Sequence, residues 1–332
     1  MEIGKVPENI LERSVFRQIR HRRPEVVLHP GVGEDCGGVE VPPGEVLVLS
    51  VDPITAADKG MGTFAVHVTA NDLASSGAEP VGVLLSILLP PGKREKYLRE
   101  LMEEIEQACL GLNIEVMGGH TEVTSAVNQP VVTVTGVGRV EKERLIATGG
   151  LRAGDELVMT KWAGMEGTAI IAEERREKLL ETLPAELVEQ AAGMLDYISV
   201  VPEAKVARNA GATAMHDVTE GGIFGALWEI GAAADVGIQA ELAKIPIRQE
   251  TIEVCEAFGL NPYRMMSSGS LLIGCENGNR MVEELEKEGI AAAVIGRATD
   301  SHDRVIVSGE EIRFLEPPGS DELYKIYGKP QC

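Results

Sequence analysis

The sequence predicts an α/β (α+β) protein of two domains, and three observations carry that expectation. At 332 residues the chain is long enough for two domains of ordinary size. Its 44% hydrophobic residues are mostly aliphatic, with only 4% aromatics and 37 glycines, which suits an aliphatic core joined by tight turns. Segments of helical and of strand periodicity also alternate along the whole length.

The stretch from Thr63 to Pro91 organises the first half. It opens with small and apolar residues suited to a closely packed helix, with Gly77 as the stop. From Pro80 a nearly unbroken apolar run, Val81–Leu89, reads as a strand buried on both faces. Within the helix stand Asn71 and Asp72, a carboxylate among residues bound for the core. Such a charge needs donors or a cation to offset its burial.

The other elements follow in order. Ile10, Leu11, Val15, Phe16 and Ile19 mark an opening amphipathic helix, and a glycine-rich loop, HPGVGEDCGGVEVPPG, comes next. A strand over Val46–Val51 ends at Asp52. Leu98, Leu101, Met102, Ile105 and Cys109 keep helical spacing. Residues 113–117 read as a short strand running into Gly118-Gly119-His120-Thr121, and Val131–Val140 as another strand. The pattern resets at GGLRAGD (149–155), so domains are expected over 1–152 and 153–316, with a tail over 317–332. In the second domain, strands are expected at 156–160, 213–215, 270–275, 292–297, 304–307 and 312–315. Helices are expected at 184–199, 223–234, 250–258 and 280–288, with a glycine-punctuated start at 162–167.

Thirty-one basic residues against 52 acidic ones give a net charge of −21 and no basic stripe. Nucleic acid and anionic membranes are therefore excluded as expected partners, and a polyanionic substrate would need a cation to mediate its binding. The chain shows no leader-like apolar segment and no run of transmembrane length. Five cysteines without CxxC point to reduced thiols and a cytoplasmic location.

The common phosphate and metal signatures are missing. There is no GxxxxGK[ST], no complete GxGxxG, no HExxH and no GxSxG. What remains is four aspartates at the ends of elements, Asp35, Asp52, Asp72 and Asp217. Oxygen-only ligands of this kind suit Mg²⁺ together with substrate phosphates.

Five motifs give these residues a context. GVGEDCGGV, SVDPIT, NDLASSGAEPVGVLLSILLP, MGGHTEV and HDVTEGGIFGALWEI resemble, in this order, the signatures of the AIR-synthase-like (PurM-like) ATP-binding superfamily. The resemblance implies a PurM-like fold with an N-terminal domain that dimerises through its sheet and a C-terminal α/β domain. It implies ATP and Mg²⁺ as cofactors. Asp35, Asp52, Asp72 and Asp217 would be the metal ligands. Gly33, Asp35, Asn71, Gly118, Gly119, Thr121, Asp217, Gly221 and Gly222 would line the nucleotide site, with Asp72, His120 and Cys332 in the chemistry.

Within the superfamily the chain looks most like the HypE-like hydrogenase maturation factors. In these a C-terminal cysteine carries a carboxamide that ATP-dependent dehydration turns into a thiocyanate. A carbamoyltransferase and a hydrogenase maturation scaffold are the partners this implies, beside a second copy in a homodimer. The chain departs from that pattern in ending KPQC rather than PRIC, in having Glu220 where arginine is usual, and in having Glu166-Gly167 for His-Gly. A small-molecule ATP enzyme of the same superfamily and a non-catalytic nucleotide-binding module are the alternatives.

Each residue also has a plainer reading. Asp72 and Asp217 could cap helices. His120 could bond to backbone, Cys36 could be a small packed residue, and Cys332 an incidental thiol on an extended, accessible tail.

Overall fold

The computed structural model describes residues 1, 3–31, 34, 36–55 and 60–327. The expectations for Gly33, Asp35 and Cys332 fall outside the described residues. By its contacts the chain divides into two compact units, residues 1–74 with 78–145, and residues 75–77 with those from 146 onward.

The first unit runs β1 (Gly4–Lys5), α1 (Glu8–Leu11), β2 (Val26–Leu28), β3 (Gly38–Val39), β4 (Glu45–Ile54), α2 (Met61–Ser75), β5 (Glu79–Leu89), α3 (Glu95–Leu112), β6 (Glu115–Val123) and β7 (Val131–Glu141). Five strands form one sheet in the order β1-β6-β5-β7-β4, and β2 pairs with β3. Only β5 and β6 are parallel, joined through α3. Helix α2 packs closely because its contact residues are small. A Cβ at Gly136 would lie 2.5 Å from Thr69, and one at Gly62 would lie 2.8 Å from the carbonyl oxygen of Leu101 on α3. Gly77, at φ +78°, ends the helix as expected.

Two local expectations are corrected here. Asp52 does not end its strand, because β4 pairs with β7 from Glu45 to Ile54. The strand continues through Pro53 because β4 lies at the edge of the sheet, where proline is tolerated. Gly118-Gly119-His120-Thr121 is not a turn but the middle of β6, in register with Leu84–Ile87. The glycines serve a close strand approach instead: Gly119 has φ +147°, and a Cβ there would sit 2.0 Å from the Leu85 carbonyl oxygen.

The second unit runs β8 (Glu156–Thr160), α4 (Met165–Glu174), α5 (Arg176–Leu179), α6 (Ala185–Ala192), α7 (Val201–Ala210), β9 (Ala214–Val218), α8 (Gly222–Ala233), β10 (Gly237–Glu241), α9 (Gln249–Phe258), β11 (Ser270–Cys275), α10 (Gly278–Lys287), β12 (Ala292–Thr299), β13 (Arg304–Ser308) and β14 (Glu311–Phe314). Its seven strands are ordered β14-β13-β10-β12-β8-β11-β9. One core lies between this sheet and α8, where Leu157, Met159, Val218, Ile223, Leu227, Ile230 and Leu272 pack together. The expected helix 184–199 divides at Gly193 into α6 and a 3₁₀ segment, Gly193–Tyr197. Strand β10 is absent from the sequence expectation, and Asp217 lies within β9 rather than after it. Within the expected tail, Glu322–Tyr327 forms a docked 3₁₀ segment with Leu323 buried.

Candidate functional site

In the first unit the alternation of β4 sets the site. Ser50 and Asp52 point toward the α2 face of the sheet, and the register partner of Ser50 is Gly136. With no side chain at Gly136, α2 comes close enough for Ser50 to donate its hydroxyl to Asp72. The same Ser50 Oγ lies 3.4 Å from Asp52 Oδ2. Two carboxylates thus share one hydroxyl, whose single proton satisfies only one of them. Asp72 is half-buried, whereas Asn71 has no exposed surface.

A cavity of about 990 Å³ in this unit brings the glycine-rich loop to β6. Gly31, Glu34 and Cys36 of the loop line it with Ser86, Gly118, Gly119, His120 and Thr121. Thr121 is buried, while His120 is exposed and lies 3.2 Å from Glu122. The base of the loop is pinned to the same strand. Glu115, fully buried at the start of β6, is 2.5 Å from His29 and 2.9 Å from Arg22, and it accepts the Arg23 backbone N–H at 2.6 Å. A buried carboxylate persists only with such partners. Glu115 therefore fixes the loop's entry, three residues before the first glycine of the pair.

In the second unit Asp217, buried in β9, precedes Gly221 and Gly222, at φ +83° and +63°. A Cβ on Gly222 would meet the carbonyl oxygens of Tyr263 and Met265 at 2.7 Å, so the helix start admits only glycine. Around it sit acids that the sequence did not mark as functional. Asp321 accepts the Gly221 N–H at 2.7 Å and the Leu323 N–H at 2.8 Å. Burial raises the Asp321 carboxyl, opposed by its hydrogen bonds to the backbone of Leu323, Gly221 and Met266. Glu166 accepts the Ser268 N–H at 3.1 Å, and burial pushes its carboxyl up to about 7, helped by nearby Asp321 and Glu220. Glu166 was noted only as a departure, and Asp321 and Ser50 gave no local sequence signal. Each acts through a partner at least 22 positions away in the chain.

Among the described residues no group of three or more His, Cys, Asp or Glu is set to hold a metal. The pair Asp52–Asp72 nevertheless fits Mg²⁺, which takes one or two carboxylates and completes its shell with water and phosphate. Of the four expected ligands, Asp52 and Asp72 come together in the first unit, Asp217 belongs to the second, and Asp35 lies outside the described residues. No described helix is long and apolar enough to cross a membrane.

Comparison with known proteins extends the picture. A putative hydrogenase expression/formation protein of Methanocaldococcus jannaschii is 27% identical over 97% of both chains. Carbamoyl dehydratase HypE of Rhodobacter capsulatus is 28% identical over 78% of this chain and 77% of its own. Among solved structures, the hydrogenase maturation protein HypE in complex with ATP aligns with a TM-score of 0.80, at 19% identity, over 96% of this chain and 97% of its own. A HypE–HypF complex aligns with a TM-score of 0.71, at 20% identity, over 82% and 90%. These two structures share the fold. Residues 33–140 match the AIR synthase related protein N-terminal domain and residues 152–308 its C-terminal domain, so the chain belongs to the AIR synthase related family.

Proposed function

We propose that this chain is an ATP-dependent dehydratase of the HypE kind, converting a carboxamide carried on Cys332 into a thiocyanate. The observation that carries the reading is the near full-length match, over 97% of both chains, to a hydrogenase expression/formation protein. The matches to carbamoyl dehydratases support it. In this reaction the carboxamide oxygen of Cys–S–C(=O)–NH₂ attacks the γ-phosphorus of ATP and releases ADP. Loss of that oxygen as phosphate, with both N–H protons removed, leaves Cys–S–C≡N. Phosphorylation turns a poor leaving group into a good one.

The protein's share of the work falls to the residues described above. Asp52 and Asp72, with Asp35 and Asp217 as further candidates, would hold Mg²⁺, which when bound offsets phosphate charge in a chain of net charge −21. The loop pinned by Glu115 and the glycines of β6 would line the nucleotide, with His120 and Thr121 beside it. A homodimer fits the exposed apolar face of β4, where Leu47, Leu49 and Val51 are 46%, 64% and 58% exposed. A carbamoyltransferase of the HypF kind would load Cys332, as the HypE–HypF structure suggests by analogy.

The test is the mass of the C-terminal peptide after incubation with ATP and a carbamoyl donor system. The loaded peptide should lose one water in an ATP-dependent step, and Cys332→Ala should abolish turnover while leaving ATP binding unchanged. Full ATP-dependent activity in Cys332→Ala would overturn the reading in favour of a small-molecule enzyme.

A further inference from the structure

A second cavity, of about 520 Å³, lies wholly within the second unit. It is enclosed by the start of α8, the 3₁₀ turn Pro262–Arg264, β13, β14 and the segment that follows β14. The chain is poor in aromatics, with five phenylalanines, five tyrosines and two tryptophans, yet Phe224, Tyr263 and Phe314 all line this one space. Phe224 and Tyr263 stack, with ring centroids 5.4 Å apart and planes 11° from parallel. Such a pair makes a flat apolar platform on which a further ring can pack.

Beside the platform the cavity meets bare backbone at Gly225, the fourth residue of α8. Glycine inside a helix costs about 1 kcal/mol relative to alanine. Packing does not demand it here, because a Cβ would meet only the Glu220 carbonyl oxygen at 3.4 Å and Pro318 at 3.9 Å, ordinary contact distances. What the glycine leaves is room. Two arginines, Arg264 and Arg313, complete the lining in a chain of net charge −21. Arg313 is the register partner of buried Ile306, so both stand on the cavity side of the sheet. Arg264 pairs with Glu316 at 3.0 Å and Arg313 with Glu311 at 2.7 Å, and all four side chains are well exposed. Pairs so exposed add little to stability, and an entering anion can take the place of either carboxylate on the guanidinium fork.

We propose that this cavity binds a small aromatic acid. Its flat ring lies against the Phe224–Tyr263 pair and Gly225, and its carboxylate or phosphate lies on Arg264 and Arg313. The volume is that of an ordinary small-molecule site. The proposal needs no residue of the first unit and holds whether or not the dehydratase reading does.

Calorimetric titration of the full chain with naphthoate and with naphthyl phosphate tests this and tells the two anions apart. Saturable binding of at least one is expected, the tighter naming the class. Naphthol, a ring without the charge, and cyclohexanecarboxylate, a charge without the flat ring, should bind at least tenfold more weakly. Arg264→Gln combined with Arg313→Gln should weaken binding at least tenfold. Gly225→Ala should weaken it at least threefold with a Tm no lower than that of the wild type, which separates lost room from lost fold. No saturable binding of either acid would overturn the proposal. So would undiminished binding in the arginine double variant, or naphthol binding as tightly as the acids.

Discussion

Ser50 on β4 donates its hydroxyl to Asp72 on α2, and Asp52, two residues along the same strand, lies 3.4 Å from that oxygen. The serine orients one carboxylate and leaves the other in need of positive charge. Asp72→Asn should weaken Mg²⁺-dependent ATP binding at least tenfold by calorimetry, with little change when EDTA is present. Ser50→Ala keeps both carboxylates but removes the hydroxyl that they share, and a loss on the order of tenfold is expected. Equal affinity in all three proteins would remove this pair from metal binding.

Gly119 stands where a side chain has no room. Its φ of +147° and the 2.0 Å approach of the Leu85 carbonyl oxygen mean that Gly119→Ala must pull β6 from β5. A loss of about 3 kcal/mol or more is expected from urea unfolding. Gly111→Ala is the control, because a Cβ there meets nothing within 4 Å beyond its chain neighbours and its own helix backbone.

Glu115→Ala should destabilise the protein by roughly 3 kcal/mol, because the buried carboxylate holds His29, Arg22 and the Arg23 N–H together. Since His29 leads into Pro30 and Gly31, ATP affinity should fall as well, at a temperature where the variant remains folded. Unaltered ATP binding would show that the loop's entry needs no such anchor.

Glu166 gives a pH dependence with a definite sign. Its carboxyl rises from an ordinary 4.5 to about 7, so the folded chain holds a proton that the unfolded chain releases in between. Stability from this group is full below about pH 4.5 and falls through the window to pH 7, by roughly 3 kcal/mol in all. Glu166→Gln should flatten the fall of Tm between pH 5 and 7 and raise Tm at pH 8 relative to wild type. Parallel curves for the two proteins would show that Glu166 ionises freely.

The strands and helices with long apolar patterns were legible in the sequence. α3, with its amphipathic spacing, and β11, with six consecutive buried residues, appear where periodicity placed them. β10 was not, because Gly237–Glu241 is short and its place is set by pairing with β12 and β13. Motif resemblance brought out Asp52 and Asp72 but not Ser50, since one serine among many becomes distinctive only when Gly136 lets α2 approach. The same holds for Asp321. In sequence it is an acid in a Pro- and Gly-flanked stretch, and only the fold brings it to a helix start one hundred positions earlier.

Strand β4 carries one further consequence. Its even-numbered residues, Ser50 and Asp52, serve the carboxylate pair, and its odd-numbered ones, Leu47, Leu49 and Val51, form an open apolar row on the other face. A strand cannot shift on one face and hold still on the other. Whatever covers Leu49 and Val51 therefore also fixes the backbone from which Ser50 reaches Asp72. Were a second copy to cover this row, as the proposed homodimer requires, self-association and nucleotide affinity would by thermodynamic reciprocity be linked quantities. Dilution would then change ATP affinity, and ATP would change self-association, by one and the same factor.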